Sequence, residues 1–177
     1  MPDTKNTKNI LAHALKTLMV QRSFAKISVS DICEYCKMSR KSFYYHFQDK
    51  YDLMNWVFYT EFIATLQSPD PSDDWQLLLS ICNYFYQEQS FYRNALSVSG
   101  QNSFQDYFIE ILRPLLFVFI RDIFSDTENL EFFVSFYTDA FMSSIIRWLN
   151  EDNPMPPDVF ADLLRKTVSR SEESIRE

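Results

Sequence analysis

The 177-residue sequence is almost without glycine. Gly100 is the only one, although average usage of about 7% predicts about twelve. Because all-β and α/β folds place glycine in turns and phosphate-binding loops, this shortage favours helices joined by short caps. It also excludes a dinucleotide-binding fingerprint and a P-loop, since both motifs need several glycines. The composition therefore predicts an all-α fold.

Long apolar runs are also lacking. The chain has no stretch of about 18 apolar residues that could span a membrane, and residues 1–5 lack the apolar segment of a signal peptide. Its three cysteines, an odd number, fit a reducing compartment better than a disulfide framework. We therefore expect a cytoplasmic protein with no membrane contact.

Charge is distributed unevenly along the chain. Residues 1–50 carry nine basic and four acidic residues, a net charge of +5, whereas residues 51–177 carry eight basic and twenty acidic residues, a net charge of −12. The net charge of the whole chain, −7, would argue against a nucleic-acid-binding protein, but it averages two parts of opposite charge. A basic N-terminal part on an acidic body indicates a nucleic-acid contact at one end.

Apolar residues recur at helical spacing through most of the chain. They predict about nine helices, and the predicted spans are residues 5–22, 28–36, 40–47, 49–66, 74–89, 90–98, 102–124, 128–150 and a last helix from about residue 158. Gly100 lies where a helix is expected to stop, and Pro114 is expected to kink or break the helix that contains it.

Residues 28–47 form two short predicted helices separated by a three-residue turn. Ser28 and Asp31 have the spacing of a capping box, and Ser39 is placed to cap the second helix. In that second helix Phe43 and Phe47 should face the core, which turns the hydrogen-bond donors outward. This pattern is typical of a helix-turn-helix that reads the major groove, although any amphipathic helix has one polar face.

A more specific likeness comes from the letters of residues 28–53, S-V-S-D-I-C-E-Y-C-K-M-S-R-K-S-F-Y-Y-H-F-Q-D-K-Y-D-L. They resemble the N-terminal domain of the TetR family of transcriptional regulators, most clearly in the run F-Y-Y-H-F-x-D-K. The resemblance implies a homodimer that reads a palindromic operator in double-stranded DNA. It also implies a helical C-terminal part that dimerises and holds an effector site. On this basis we expect a DNA-binding domain at 1–50 and a dimerisation and regulatory domain at 51–177.

The resemblance also implies roles for individual residues. Ser28 and Ser30 would touch phosphate, the groove contacts would come from Arg40, Lys41, Ser42 and Tyr44, and further backbone contacts from Tyr45, His46 and Lys50, with Ser39 at the start of the reading helix. One position departs from the family, which usually has glycine in the turn where this chain has Lys37. A side chain in a left-handed turn costs on the order of 1 kcal/mol.

The C-terminal part carries a weaker likeness. Residues 91–96 and 100–104 are similar to a subgroup of short Gram-positive TetR-type regulators that includes the activator of a dihydroxyacetone kinase operon. Because the effector of that activator is a protein, both a small-molecule and a protein effector remain open here. The aromatic residues that could line an effector pocket are Trp56, Tyr59, Phe62, Tyr84, Phe85, Tyr92, Phe108 and Phe117, although at helical spacing such residues more often form core.

The stretch 128–150 is apolar around much of its circumference, which predicts burial on more than one side. A second subunit is one way to bury two sides of a helix. The residues expected at a dimer interface are Phe133, Phe136, Tyr137, Phe141, Trp148, Phe160 and Leu164.

Catalytic and metal sites are not predicted. Cys33 and Cys36 form a C-x-x-C motif, for which core packing is favoured over a redox sensor or a metal site because further ligands at suitable spacing are lacking. Neither histidine lies in a recognisable catalytic arrangement, and no cofactor is expected. The alternative to a DNA-binding regulator is a helical protein–protein adaptor that keeps the fold without binding DNA.

Overall fold

The computed structural model describes residues 4–65, 74–100, 102–124 and 128–175. Within these ranges every regular element is helical, which confirms the expected all-α fold. The α-helices are α1 (Thr4–Gln21), α2 (Val29–Tyr35), α3 (Arg40–His46), α4 (Lys50–Glu61), α5 (Asp74–Gln87), α6 (Gln89–Ala95), α7 (Phe104–Ile123), α8 (Leu130–Asn150) and α9 (Pro157–Ile175). Short 3-10 helices lie at Phe24–Lys26 and Ile63–Thr65.

The helices group into two compact units. The first unit comprises Met1–Gln67 and Ser90–Tyr107, and the second comprises Ser68–Gln89 and Phe108–Glu177. Helix α7 therefore contributes to both units, and α6 packs with the N-terminal helices although it lies later in the sequence. The functional division at residue 50 remains a prediction.

Side-chain caps begin the helices of the helix-turn-helix and the helix after it. Ser28 and Asp31 form the expected capping box at the start of α2. The Ser39 hydroxyl accepts the Ser42 amide at 3.1 Å at the start of α3, and the Asp49 carboxylate accepts the amides of Tyr51 and Asp52 at the start of α4. Each cap satisfies amide groups that a helix start otherwise leaves without partners.

The core of the first unit is aromatic. Phe58 packs against Phe62, Tyr92 and Phe104, with ring centroids 5.4, 5.8 and 5.4 Å away respectively. Phe58, Tyr92 and Phe104 are fully buried. Such ring pairs contribute stability beyond the apolar area that they bury, so they hold α4, α6 and the start of α7 together.

The second unit has its own aromatic core. Trp148 on α8 stacks on Phe160 of α9 at 4.4 Å between ring centroids, and its Nε1–H donates to the Met155 carbonyl at 2.9 Å. Phe85 packs against Phe108 at 5.1 Å. Across the described ranges, none of the helices is both long and apolar enough to cross a membrane.

Two expectations from the sequence, a break at Pro114 and a helix stop at Gly100, are wrong, whereas a kink at Pro114 remains a prediction. Pro114 does not break its helix, because α7 runs continuously from Phe104 to Ile123. Leu112, Leu115 and Leu116 beside it are buried, and this packing offsets the missing backbone hydrogen bond. Gly100 does not cap α6, which ends at Ala95. It has φ +122° and lies in the connection before α7.

The turn of the helix-turn-helix has the strained geometry that was expected. Lys37 has φ +55°, in the left-handed region, and its side chain is exposed. The following amide, that of Met38, donates to the Cys33 carbonyl at 2.9 Å, which closes the end of α2. The chain therefore keeps a lysine at a backbone position that favours glycine.

We predict that Lys37→Gly raises the free energy of unfolding by up to about 1 kcal/mol, because glycine adopts a positive φ without the steric cost of a Cβ. Urea unfolding measures the change. The control is Lys37→Ala, which removes the charge but keeps the Cβ and should bring no gain. Equal stabilisation by both variants would locate the effect in the charge and contradict the backbone explanation.

Candidate nucleic-acid interface

Helix α3 and the residue that follows it, Phe47, divide their side chains between the core and the surface, as the sequence predicts. Phe43 and Phe47 are buried, whereas the side chains of Tyr44 and Tyr45 are 49% and 80% exposed. An open concavity of about 710 Å³ lies on the outward face and is lined by Ser39, Lys41, Ser42, Tyr44 and Tyr45. A helix with an apolar anchor on one side and donors on the other suits insertion into the major groove.

Arg40 lies at the first position of α3, where its guanidinium contacts Tyr44 one turn later. Arg40 Nη2 donates to the Tyr44 hydroxyl at 3.3 Å, and the guanidinium carbon lies 5.8 Å from the Tyr44 ring centroid. The hydrogen bond to the Tyr44 hydroxyl raises the pKa of Arg40 above its usual value. The side chain is exposed and charged, as a contact to guanine O6 and N7 requires.

The remaining donors of α3 lie around this face. Lys41 and Tyr45 are exposed, and His46 is half-buried with its ring edge-on to Tyr45 at 4.9 Å between ring centroids. The structure therefore brings Arg40, Lys41, Ser42, Tyr44 and Tyr45 onto one short helix, with His46 at its end. Arg and Lys side chains supply most of the phosphate and guanine contacts in protein–DNA complexes.

The three serines at the helix starts are placed differently from one another. The Ser28 hydroxyl donates to Asp31 Oδ2 at 2.6 Å and also accepts the Asp31 amide, so it serves the capping box. Its hydrogen bonds, followed by the charge of Arg22, lower the pKa of the Asp31 carboxyl. Ser39 caps α3, whereas Ser30 is half-buried in the first turn of α2. A phosphate contact by Ser28 competes with its capping role.

Lys50 lies in a setting that the sequence did not suggest. Its ammonium group donates to the carbonyl oxygens of Phe24, Ala25 and Ile27 at 2.8, 3.2 and 2.7 Å. An ammonium group has three donors, so these carbonyls occupy all of them. Burial lowers the pKa of Lys50, and the side chain holds the segment before α2. In this geometry no donor remains for a DNA phosphate.

The cysteines behave as packing residues. Cys33 is buried in α2, and Cys36 is half-buried with its thiol directed to the Ile32 carbonyl at 3.1 Å. Burial raises the pKa of both thiols, and it raises the pKa of Cys82 to about 12. Protonated thiols are poor nucleophiles and poor metal ligands. Over the described ranges, no three or more His, Cys, Asp or Glu residues group as a metal site would require.

The aromatic residues suggested for an effector pocket fall into both units. Trp56, Tyr59, Phe62 and Tyr92 belong to the first unit and Tyr84, Phe85, Phe108 and Phe117 to the second. Phe62, Phe85, Tyr92 and Phe108 are buried against other rings, whereas Tyr59 and Phe117 are exposed. Ring-on-ring packing accounts for the four buried residues, and a ligand contact by any of the eight remains a prediction.

The residues suggested for a dimer interface also separate by burial. Phe141, Trp148, Phe160 and Leu164 are buried within the second unit of one chain, so their side chains offer little surface to a partner. Phe133 and Tyr137 are half-buried, with Phe133 stacked on Phe124 at 3.9 Å. Phe136 is exposed.

Three further residues of the second unit are apolar and exposed but were not among those expected at a dimer interface. They are Phe132 on α8, with 66% of its surface exposed, and Val159 and Leu163 on α9. Their spacing is informative, because Phe132 lies four residues before Phe136 and Val159 four residues before Leu163. Each pair therefore lies on one helix face, a signal that was available in the sequence.

Two sequence profiles match the chain. The profile described as "Bacterial regulatory proteins, tetR family" matches residues 10–57, which include the helix-turn-helix. The profile described as "Transcriptional regulator C-terminal region" matches residues 73–170, more than half of the chain.

Individual proteins show the same likeness. Over 104 residues, 58% of this chain, the sequence is 32% identical to the HTH-type dhaKLM operon transcriptional activator DhaS of Lactococcus lactis subsp. lactis (strain IL1403). The alignment spans about half of that relative, 54% of its length.

Solved structures share the fold. The dihydroxyacetone kinase operon activator DhaS superposes with a TM-score of 0.62 at 24% identity, over 96% of each chain. A TetR transcriptional regulator from Streptococcus agalactiae 2603V gives a TM-score of 0.69 at 20% identity, over 93% of this chain and 94% of that one. Together with the profile matches to both parts of the sequence, these likenesses lead to one conclusion: the chain is a transcriptional regulator of the TetR family.

Proposed function

We propose that this regulator binds a palindromic DNA operator as a homodimer, with α3 of each chain in the major groove. The observation that carries the proposal is the division of α3 between buried Phe43 and Phe47 and an outward face of hydrogen-bond donors. A two-fold symmetric protein with one reading helix in each chain matches two half-sites related by the same symmetry.

We assign the base-edge contacts to Arg40, Lys41, Ser42 and Tyr44. These residues lie in the first turns of α3, the part of a recognition helix that enters the groove most deeply. Ser30, Ser39, Tyr45 and His46 are proposed to contact the sugar-phosphate backbone. Lys50 is assigned a supporting role because its ammonium group already binds three carbonyl oxygens.

Homodimerisation is proposed to use the second unit. Phe132 and Phe136 on α8, and Val159 and Leu163 on α9, expose apolar surface at helical spacing. A buried phenylalanine stabilises an interface by about 1.5–3 kcal/mol, so two exposed pairs supply a substantial driving force. Because a symmetric interface uses each residue twice, every such contact counts double.

We further propose that an effector, a small molecule or a protein, controls DNA binding through the helical part beyond residue 50. The proposal is supported by family membership. The relative DhaS is an activator of one operon, and regulators of this kind need a signal that changes their DNA affinity.

One prediction for DNA binding concerns affinity and salt. The full-length protein should bind a site in the DNA upstream of its own gene, with an affinity that falls as salt rises. The magnitude of the slope of log affinity against log salt should increase by about 0.9 for each phosphate contact. Fluorescence anisotropy at several salt concentrations measures the slope. Binding that is absent at low salt would refute DNA recognition and favour the adaptor alternative.

A further prediction concerns base reading by Arg40. In the full-length protein, Arg40→Ala should lose about 1–3 kcal/mol of discrimination at one base pair of each half-site. The measurement is anisotropy against operators substituted at one position at a time. Lys166→Ala is the control. Lys166 pairs with Asp162 on α9, so this substitution removes one positive charge from the second unit, away from α3. An Arg40→Ala variant that weakens all operators equally would reassign Arg40 to the phosphate backbone.

Another prediction concerns the dimer. Replacing both Phe132 and Phe136 by Asp should weaken self-association on the order of 100-fold, because four apolar contacts across a symmetric interface become charged. Size-exclusion chromatography with light scattering over a concentration series gives the dissociation constant. The control is Val20→Asp, which places a charge at an 82% exposed valine of the first unit. A wild-type protein that is monomeric at every concentration contradicts the homodimer.

A further inference from the structure

The segment from the last turn of α1 to the start of α2 is held by side chains from distant parts of the sequence. It runs from Met19 to Ser28, contains the 3-10 helix Phe24–Lys26, and leads directly into the helix-turn-helix. Several of its backbone groups find their partners outside the segment, in Asn94 of α6 and Lys50 of α4. All of these residues belong to the first unit.

Asn94 makes three hydrogen bonds to this segment. Its Oδ1 accepts the Phe24 amide at 2.7 Å, and its Nδ2 donates to the carbonyl oxygens of Met19 and Arg22, each at 2.9 Å. A primary amide offers two donors and one acceptor atom in a fixed plane. Among side chains of this length, only asparagine matches two carbonyls and one amide at once.

Lys50 holds the same segment through other backbone groups. Phe24 is the shared residue, since its amide binds Asn94 while its carbonyl binds the Lys50 ammonium group at 2.8 Å. The Phe24 ring is fully buried and meets the Tyr51 ring edge-on at 5.3 Å between centroids. The Phe24 backbone is therefore held by α6 through its amide and by α4 through its carbonyl.

The contacts of Asn94 continue to the start of α2. Arg22, whose carbonyl binds Asn94, directs its guanidinium to Asp31 Oδ1 at 3.1 Å. The other oxygen of that carboxylate accepts the Ser28 amide at 2.7 Å and the Ser28 hydroxyl. A connected set of polar contacts thus runs from Asn94 through Arg22 and Asp31 to the cap of α2.

We infer that Asn94 is a positioning residue for the helix-turn-helix: it ties α6 to the segment that sets where α2 begins. The inference rests on the proposed function only for its effect on DNA affinity. Asn94 lies 70 residues after Phe24 in the sequence. The contact between them therefore makes the placement of α2 and α3 depend on α6.

The first experiment measures hydrogen exchange in the full-length protein without DNA. Asn94→Ala should increase exchange at the Phe24 amide by at least about tenfold, and more modestly over residues 25–31, because the amide loses its acceptor and the segment opens locally. The matched control is Asn83→Ala, whose amide donates to the Leu79 carbonyl one turn earlier in its own helix. This control should leave the exchange of Phe24 unchanged.

The second experiment measures operator affinity. Asn94→Ala should weaken binding about tenfold without changing the salt slope, since no phosphate contact is removed and only the population of the competent arrangement falls. Val57→Ala, a core truncation in α4 of the same unit, controls for lower stability alone. At a temperature where that variant is fully folded, it should bind as the wild type does.

Asn94→Asp keeps the size of the side chain and serves if the alanine variant does not fold. Its carboxylate still accepts the Phe24 amide but faces the Met19 and Arg22 carbonyls without donors. The Phe24 amide should therefore stay largely protected while operator affinity falls.

Three results would overturn the inference: unchanged exchange at Phe24 in Asn94→Ala, unchanged affinity in a folded Asn94 variant, or an equal loss of affinity in Val57→Ala. If the wild-type protein binds no DNA, the proposed function fails, and the exchange experiment alone decides whether Asn94 positions the helix-turn-helix.

Discussion

The burial of Phe43 and Phe47 is the interaction on which the candidate interface depends. These rings lie four residues apart and set the rotation of α3 about its own axis, because both must leave water at once. This rotation directs the side chains of Arg40, Lys41, Tyr44 and Tyr45 outward, and all four are exposed. The same two rings therefore provide part of the core and the orientation of the donors. A seven-residue helix could not keep such an orientation by its own backbone hydrogen bonds.

Much of this arrangement was predictable because it is local. Ser28 with Asp31, and Ser39 before α3, are caps with a fixed spacing, and the structure has both. The left-handed geometry at Lys37 also followed from its place in the turn. Local patterns failed where packing decides the outcome. A break in α7 at Pro114 was one expected outcome, but the buried leucines around it keep the helix continuous.

Long-range contacts explain the other differences. The residues around Lys50 do not indicate that its ammonium group binds three carbonyl oxygens more than twenty positions earlier. Likewise, the residues around Asn94 do not indicate its hydrogen bond to Phe24. Similarly, periodicity identifies the apolar faces of α8 and α9 but does not tell which face the chain covers with its own residues. Trp148 and Phe160 cover each other, while Phe132 and Leu163 stay exposed. Such choices depend on the assembled unit.

The contact between Arg40 and Tyr44 has a consequence for the entropy of recognition. The rotamer entropy of an unrestrained arginine side chain is worth about 2 kcal/mol of free energy, and much of it is lost when the guanidinium hydrogen-bonds to a base. Here the Tyr44 hydroxyl and ring already restrict the guanidinium before any DNA arrives. In the proposed complex, less disorder would remain to be removed on binding, so more of the hydrogen-bond energy at the groove would appear as affinity. Tyr44 would then contribute to affinity even at base pairs that it does not touch.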